Sequence, residues 1–448
     1  MVSGALVCLS GGVPVPHAPP SPADLLRAHP TGCYTVTVPT QRPLPAGPRP
    51  GRARRAAPAA PPVTPPPAPP PAQAGLLEAA GDGSVRLRHA GLHQQRLALG
   101  AAALPGPFAA LLGAAARCRA FLPVALAAPL CPGEPQYALG AQLGAAGTGD
   151  AAEALHDMMG VVLRNAALDV QRAWPAAAGG AVEEALEGGG RVCLVVALSP
   201  GGGAAGGGGP ASSAGACGGP GSAVRVHVHA SALPPAAAGP RGGAFAVVRA
   251  GRRRGGPAQA KYSAWAAERE PLTRGAPAGA ADVVLAAPSG GGGGAPDALL
   301  EGAVTSVFAW ADPARAERDV AAWRAGAGRA AADVARAEAW AAALRGAAGP
   351  AGGRVLCTAP VSAGALPGVG RAVVLEAAGR DGLASLLRAP PLEMWGCEEL
   401  VLVNAVRGAV PLARLEDGGP GAGGRVLWEA GGDAAGGEGA GWMARALS

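Results

Sequence analysis

Ala365-Leu366-Pro367-Gly368-Val369-Gly370-Arg371 leads into a helix expected over Ala372 to Ala378, and it places two glycines at the helix start. Backbone N–H groups there lack intrahelical partners and the dipole is positive, so the junction suits a phosphate; a plain turn uses glycine in the same way. Upstream, a strand expected over Ala298 to Trp310 carries Glu301 between Leu300 and Gly302, in otherwise apolar sequence. An unpaired carboxylate in such a strand is costly, so Glu301 needs a cationic partner, either a protonated ring nitrogen or a nearby arginine. Farther upstream stands Ala260-Lys261-Tyr262-Ser263-Ala264-Trp265, which holds the only lysine among 37 basic residues. Guanidinium does not serve as a free amine, whereas a desolvated ammonium can lose its proton and attack a carbonyl. Lys261 is therefore the candidate for covalent chemistry, set against the alternative that a GC-rich genome has merely left one lysine codon.

The rest of the composition sets bounds. At 448 residues and 49% apolar content, the chain can form two or three domains with a sizeable core. Isoleucine is absent and asparagine occurs only at Asn165 and Asn404, so composition reports coding bias as well as physics. The net charge of +6 is spread along the chain apart from knots at Arg49–Arg55 and Arg249–Arg254. Neither knot is interleaved with aromatics, and nucleic acid is not an expected partner. The eight cysteines include no C-x-x-C pair and read as reduced, buried thiols of an intracellular protein. No basic segment followed by an apolar one opens the chain, no apolar run has membrane-spanning length, and the first arginine is Arg27. The expectation is a soluble protein of the cytoplasm, with a plastid as the alternative and no membrane partner.

In chain order, strands are expected at 5–9, 33–38 and 85–88, the last two paired as a hairpin around a Pro-rich insertion at 41–75. Helical spacing runs from His93 to about Leu112 and from Asp150 to Trp174, where Leu155, Met159, Val162, Leu163, Ala166 and Val170 share a face. Strands at 191–198 and 223–229 flank a Gly-rich run at 201–222, closing a first domain near residue 235. The second domain, 236–448, offers strands at 243–249, 282–286, 298–310, 355–358, 399–405 and 410–415. It also carries an Ala/Arg-rich helical insertion at 313–347 and a Gly-rich tail at 417–440. Arg96 lies on the first helical stretch, where it can serve as an exposed helix arginine or grip a phosphate bidentately. His227 and His229 share one side of a strand, but no third ligand is spaced to join them, so no metal site is expected.

Taken together and in this order, these pieces resemble the class-IV aminotransferases. These are the fold-type-IV pyridoxal phosphate enzymes, which include branched-chain and D-amino-acid aminotransferases and aminodeoxychorismate lyase. The matching stretches are Gly32-Cys33-Tyr34-Thr35, His93-x-x-Arg96-Leu97, Lys261, the Glu301-Gly302 strand running to Phe308, the 365–371 segment, and Asn404-Ala405 followed by Val410-Pro411. The resemblance implies an α/β (α+β) two-domain, D-amino-acid-aminotransferase-like fold carrying long low-complexity insertions. It implies a pyridoxal 5'-phosphate cofactor, a small amino substrate and a homodimer.

Carried over by position, the resemblance implies that Lys261 binds the cofactor covalently and moves the proton, with Thr35 as a helper in proton transfer. It implies that Glu301 pairs with the ring nitrogen and that Arg96 and the amides of Val369 and Gly370 take the phosphate. Ser306, Asn404 and Ala405 fall at cofactor-binding positions as well. There the chain departs from the family: Gly370 stands where Thr is frequent, Asn404-Ala405 where a hydroxyl pair is frequent, and Ser306 where Asn is usual. Weaker cofactor affinity is the expectation. The implied activity is amino transfer, with aminodeoxychorismate lyase or a non-catalytic scaffold of the same fold as alternatives.

Overall fold

The computed structural model describes residues 5–10, 13–14, 21–28, 33–37, 89–104, 108, 155–156, 158–163, 165–166, 191–200, 224–233, 244–250, 260–288, 297–326, 328, 330–349, 352–418, 425–431 and 437–447. The Pro-rich stretch at 41–75, the strand expected at 85–88, the Gly-rich run at 201–222 and the turn at 290–294 lie outside them.

The Val- and Thr-rich runs of the first half form one antiparallel sheet. Its strands are β1 (Ala5–Ser10), β2 (Val13–Pro14), β3 (Cys33–Thr37), β4 (Arg191–Pro200) and β5 (Val224–Leu233), in the order β2-β1-β5-β4-β3. The described partner of β3 is β4, with Thr35 opposite Val196, so β3 lies at the end of this order. Helix α1 (Pro22–Ala28) starts at Ser21, whose Oγ accepts from the Asp24 N–H at 3.2 Å. Helix α2 (Ala90–Ala103) starts three residues before the expected His93 and buries Leu97 and Leu99 completely; beyond Leu104 most of the expected stretch lies outside the described residues. Within the helix expected at 150–174, the described residues are helical and Leu155, Met159, Leu163 and Ala166 are buried; Val162 is half-buried.

The second half builds the larger sheet. Its strands are β6 (Ala244–Ala250), β7 (Ala280–Ala287), β8 (Ala298–Gly302), β9 (Ser306–Ala311), β10 (Val355–Thr358), β11 (Ser385–Leu387), β12 (Cys397–Asn404), β13 (Gly408–Asp417) and β14 (Val426–Glu429). The order is β11-β10-β9-β12-β13-β6-β7-β8, with β14 beside β13. A further β8–β9 pairing closes six of these strands into a ring. The single strand expected over 298–310 is thus two, because the chain reverses at 303–305. Asp282 fixes that reversal: its carboxylate accepts from the Val304 N–H at 3.1 Å and the Thr305 hydroxyl at 2.7 Å.

Helices cover the ring. Short α3 (Trp265–Glu268) and α4 (Glu270–Thr273) follow the lysine, and α5 (Pro313–Arg324) and α6 (Ala331–Ala348) occupy the stretch read as an insertion. That stretch packs: Val320, Trp340 and Leu344 are buried in one apolar cluster with Trp395 and Leu402. Helix α7 (Val369–Arg380) begins three residues before the expected start, and α8 (Glu438–Ala446) emerges from the Gly-rich tail. Glu399 anchors α8 by accepting from the Gly439 and Ala440 N–H groups, each at 3.0 Å. A second apolar cluster runs across both sheets, joining Val196 and Leu198 to Leu97 and Leu99 of α2, then to Phe308, Val373 and Val401. Four described cysteines are free and buried, and burial pushes the Cys33 thiol up to about 12. No helix among the described residues is long and apolar enough to cross a membrane.

Candidate active site

Between the two sheets lies a cavity of about 340 Å³. Thr35, Arg96, Lys261, Glu301, Ser306, Val369, Gly370, Asn404 and Ala405, the residues expected at the site, all line it. They come from β3, α2, the segment before α3, the β8–β9 reversal, the start of α7 and the end of β12.

The lysine is held by its backbone. Its carbonyl accepts the Tyr34 N–H at 2.9 Å, and the next residue, Tyr262, forms an isolated bridge with Cys33. Lys261 Nζ stands 5.1 Å from the centroid of the Tyr34 ring, within cation–π range. Trp265, buried, donates its indole N–H to the Ala303 carbonyl at 2.9 Å, which ties the lysine segment to the reversal that follows Glu301. Lys261 itself is half-buried.

Glu301 is 3% exposed, and its Oε2 accepts the Leu366 N–H at 2.9 Å. The carboxylate therefore bridges β8 to the segment that opens α7, and still lines the cavity. Gly302 makes this possible, since a Cβ there would overlap Thr305 Oγ1 and Asp282 Oδ2. Burial pushes the Asp282 carboxyl up, against the opposing pull of its Thr305 and backbone hydrogen bonds.

The phosphate-suited end has the geometry expected of a helix start. The first α7 backbone bond runs from the Ala372 N–H to the Gly368 carbonyl, so the N–H groups of Val369, Gly370 and Arg371 precede the ladder. Ser306 is close beneath: a Cβ at Gly368 would stand 3.0 Å from Ser306 Oγ. Gly370 has a packing reason. A Cβ there would meet Val403 Cγ1 at 3.0 Å, the Asn404 carbonyl carbon at 3.2 Å and the Ala405 nitrogen at 3.3 Å. A side chain at 370 would crowd the end of β12 by a few tenths of an ångström. Asn404 is committed to its own turn, accepting from the Val406 and Arg407 N–H groups at 2.8 and 2.7 Å. Arg96 is 2% exposed, not an exposed helix arginine.

Two features went unread in the sequence. Thr35 Oγ1 lies 2.7 Å from His93 Nδ1, and both side chains are buried. Burial first, then the positive fields of His89, Lys261 and Arg96, brings the His93 pKa down to about 3, so its imidazole is neutral at ordinary pH. Asp282, acidic at the head of an apolar run, carries the same sequence signal as Glu301. His227 Nε2 is 2.8 Å from Ser199 Oγ, and among the described residues no cluster of three or more His, Cys, Asp or Glu could hold a metal.

No family model matches this chain, and no curated protein matches it. Among solved structures, the chain is similar to a fold IV-transaminase from Curtobacterium pusillum at 17% identity, covering 81% of this chain and 82% of that one, with a TM-score of 0.41. It is similar to the PLP-bound form of a hypothetical aminotransferase from Mycobacterium tuberculosis at 15% identity, over 98% of each chain, with a TM-score of 0.44. A branched-chain aminotransferase from Thermoproteus uzoniensis, solved with norvaline, is 13% identical over 99% of this chain and 95% of that one, with a TM-score of 0.43. Likenesses at this level concern overall architecture, and what the cavity can bind follows from its own residues.

Proposed function

We propose that this chain is a pyridoxal phosphate-dependent enzyme acting on a small amino compound, with amino transfer as its principal reaction. The observation that carries the reading is one cavity shared by the single lysine, a buried carboxylate, a buried arginine and the open N-terminus of α7. The donor set fits the cofactor. Arg96 and the first N–H groups of α7, with Ser306 beneath them, would hold the phosphate; Glu301 would hold the ring nitrogen protonated; Lys261 would bind the aldehyde. Bound there, pyridoxal phosphate supplies the electron sink for breaking a bond at the carbon that carries the substrate amine. Lys261, whose carbonyl is pinned to Tyr34, is the group placed to take and return that proton. Thr35, oriented by neutral His93, offers a hydroxyl on the β3 side of the cavity.

The test is chemical. Protein loaded with pyridoxal phosphate and treated with borohydride should carry the label on the peptide containing Lys261, and Lys261→Arg should lose it while keeping the charge. A label on any other peptide ends the reading. The lyase alternative draws on Thr35, and stoichiometry separates the two. An aminotransferase given an amino acid and no keto acid stops after one half-reaction, whereas a lyase turns over repeatedly without an acceptor.

A further inference from the structure

The two sheets hold the lysine segment in different ways. The smaller sheet grips its main chain: the Lys261 carbonyl accepts from the Tyr34 N–H at 2.9 Å, and Tyr262 bridges to Cys33, both partners on β3. The larger sheet, which carries Glu301, is reached through a side chain. Trp265 Nε1 donates to the Ala303 carbonyl at 2.9 Å, and the indole shares an apolar cluster with Tyr262 and with Leu285 of β7. This link is short because the chain coils at once after the lysine, the Trp265 and Ala266 N–H groups donating to the Tyr262 and Ser263 carbonyls. Its far end is anchored. The Ala303 N–H donates to the Val283 carbonyl at 2.8 Å, and Asp282 accepts from the Val304 N–H and the Thr305 hydroxyl just beyond. Trp265 is 2% exposed, so water does not replace the bond when the donor is removed. The lysine side chain is a flexible four-carbon stem, and where its amine can stand depends on where its main chain is held.

We propose that Trp265 is a positioning residue: its indole N–H sets how far the Lys261 segment, which follows β3, stands from the wall that carries Glu301 and the start of α7. An aldehyde held by that wall meets the amine only while the segment keeps its place. A misplacement of about 1 Å is enough to cost about a hundred-fold in a reaction between prealigned groups. Trp265 acts through the main chain of its segment, and the nature of the aldehyde rests on the cofactor reading above.

Because the chain has a single lysine, its labelling is unambiguous. Full-length protein is treated with pyridoxal 5'-phosphate or with formaldehyde, cyanoborohydride supplying the hydride that traps the condensation product once water has left. Modification of the Lys261 peptide is timed by mass spectrometry. The ratio of the two rates reports alignment, since formaldehyde needs no cradle. Trp265→Phe keeps an aromatic ring and removes the donor, and its ratio is expected to fall about ten-fold or more. Trp265→His loses the outer ring, and with it more packing, but places Nε2 where the indole nitrogen stood; it should hold the parent's ratio although it is the less stable variant. Trp340→Phe removes a comparable buried bond away from the cavity, from the indole to the Trp395 carbonyl at 3.0 Å, and should leave the ratio unchanged. A parent-like ratio in Trp265→Phe overturns the proposal, as does a fall shared by Trp340→Phe or by Trp265→His, because the ratio would then follow stability and not the bond. Should Trp265→Phe fail to fold, Trp265→His decides alone, a parent-like ratio in support and a reduced one against. A parent with no more preference for pyridoxal phosphate than free lysine shows removes the cofactor reading and this inference with it, whereas a preference that survives Trp265→Phe removes this inference alone.

Discussion

The two walls of the cavity are built by different means. One wall is the β8–β9 reversal, the start of α7 and the end of β12, all from the larger sheet, and its polar groups are mostly main-chain N–H groups fixed by secondary structure. The other wall brings Thr35 from β3, backed by His93 of α2, Arg96 from α2, and Arg269 from the α3–α4 junction, so its side chains meet only because distant segments pack. Glu301 belongs to the first wall but is stitched to it by a contact spanning 65 residues, from its Oε2 to the Leu366 N–H. The first wall resembles a helix-terminus anion site, cheap in side chains and rigid. The second is an assembly of buried polar groups whose charge states depend on one another.

Breaking the carboxylate of the first wall has the largest expected effect. Glu301→Gln keeps the shape and the acceptor for Leu366, but under the proposed function a neutral amide would not hold a proton on the ring nitrogen. Turnover should fall by about a hundred-fold or more while cofactor remains bound, since two to three kcal/mol of differential stabilisation corresponds to that factor. Steady-state kinetics with the cofactor absorbance followed in parallel checks this; unchanged turnover would make Glu301 a structural carboxylate.

The next effect is on the frame of the same wall. Gly302→Ala forces a methyl into Thr305 Oγ1 and Asp282 Oδ2, which are already bonded to each other at 2.7 Å. A loss of about 1–3 kcal/mol in unfolding free energy is expected from denaturant titration. Gly346→Ala, in α6 with nothing within 4 Å of the added Cβ, should be neutral or stabilising by several tenths of a kcal/mol. Equal behaviour of the two variants would mean that the Asp282–Thr305 staple yields without cost.

The contrast between the walls also explains what could be read in advance. Glycines at 368 and 370, a carboxylate in an apolar strand and one lysine are local signals, and each lines the cavity. The reversal at 303–305 was invisible because it is stapled by Asp282, more than twenty residues away, and apolar sequence on either side reads as a continuous strand. Helix α8 was hidden by surrounding glycine, since its start is satisfied by Glu399 rather than by a residue of its own. Arg269 reads locally as the middle of an acidic pair; only the tertiary placement of Tyr262, Arg27 and Arg274 draws those acids away. His93 could be placed on a helix, but its neutrality follows from burial and from cations brought by other segments.

That neutrality supplies the smallest effect at neutral pH and the sharpest probe of the second wall. The folded-state pKa of His93 is brought down to about 3, from 6.5 in an unfolded chain. Between those values the unfolded state binds a proton that the folded state refuses, so the contribution to stability is fully present above pH 6.5 and is lost as pH falls toward 3. The slope from this one group approaches about 1.4 kcal/mol per pH unit over that window. His93→Gln keeps a hydrogen-bonding partner for Thr35 and removes the titration. The variant should therefore differ little from the parent in unfolding free energy at pH 8 beyond its packing cost. Between pH 6 and 4 its stability should decline less steeply, by roughly that slope. Parallel pH profiles for the two proteins would mean that His93 takes up its proton in the folded state, and that the β3–α2 wall is wetter and less tightly coupled than its buried Thr35–His93 contact implies.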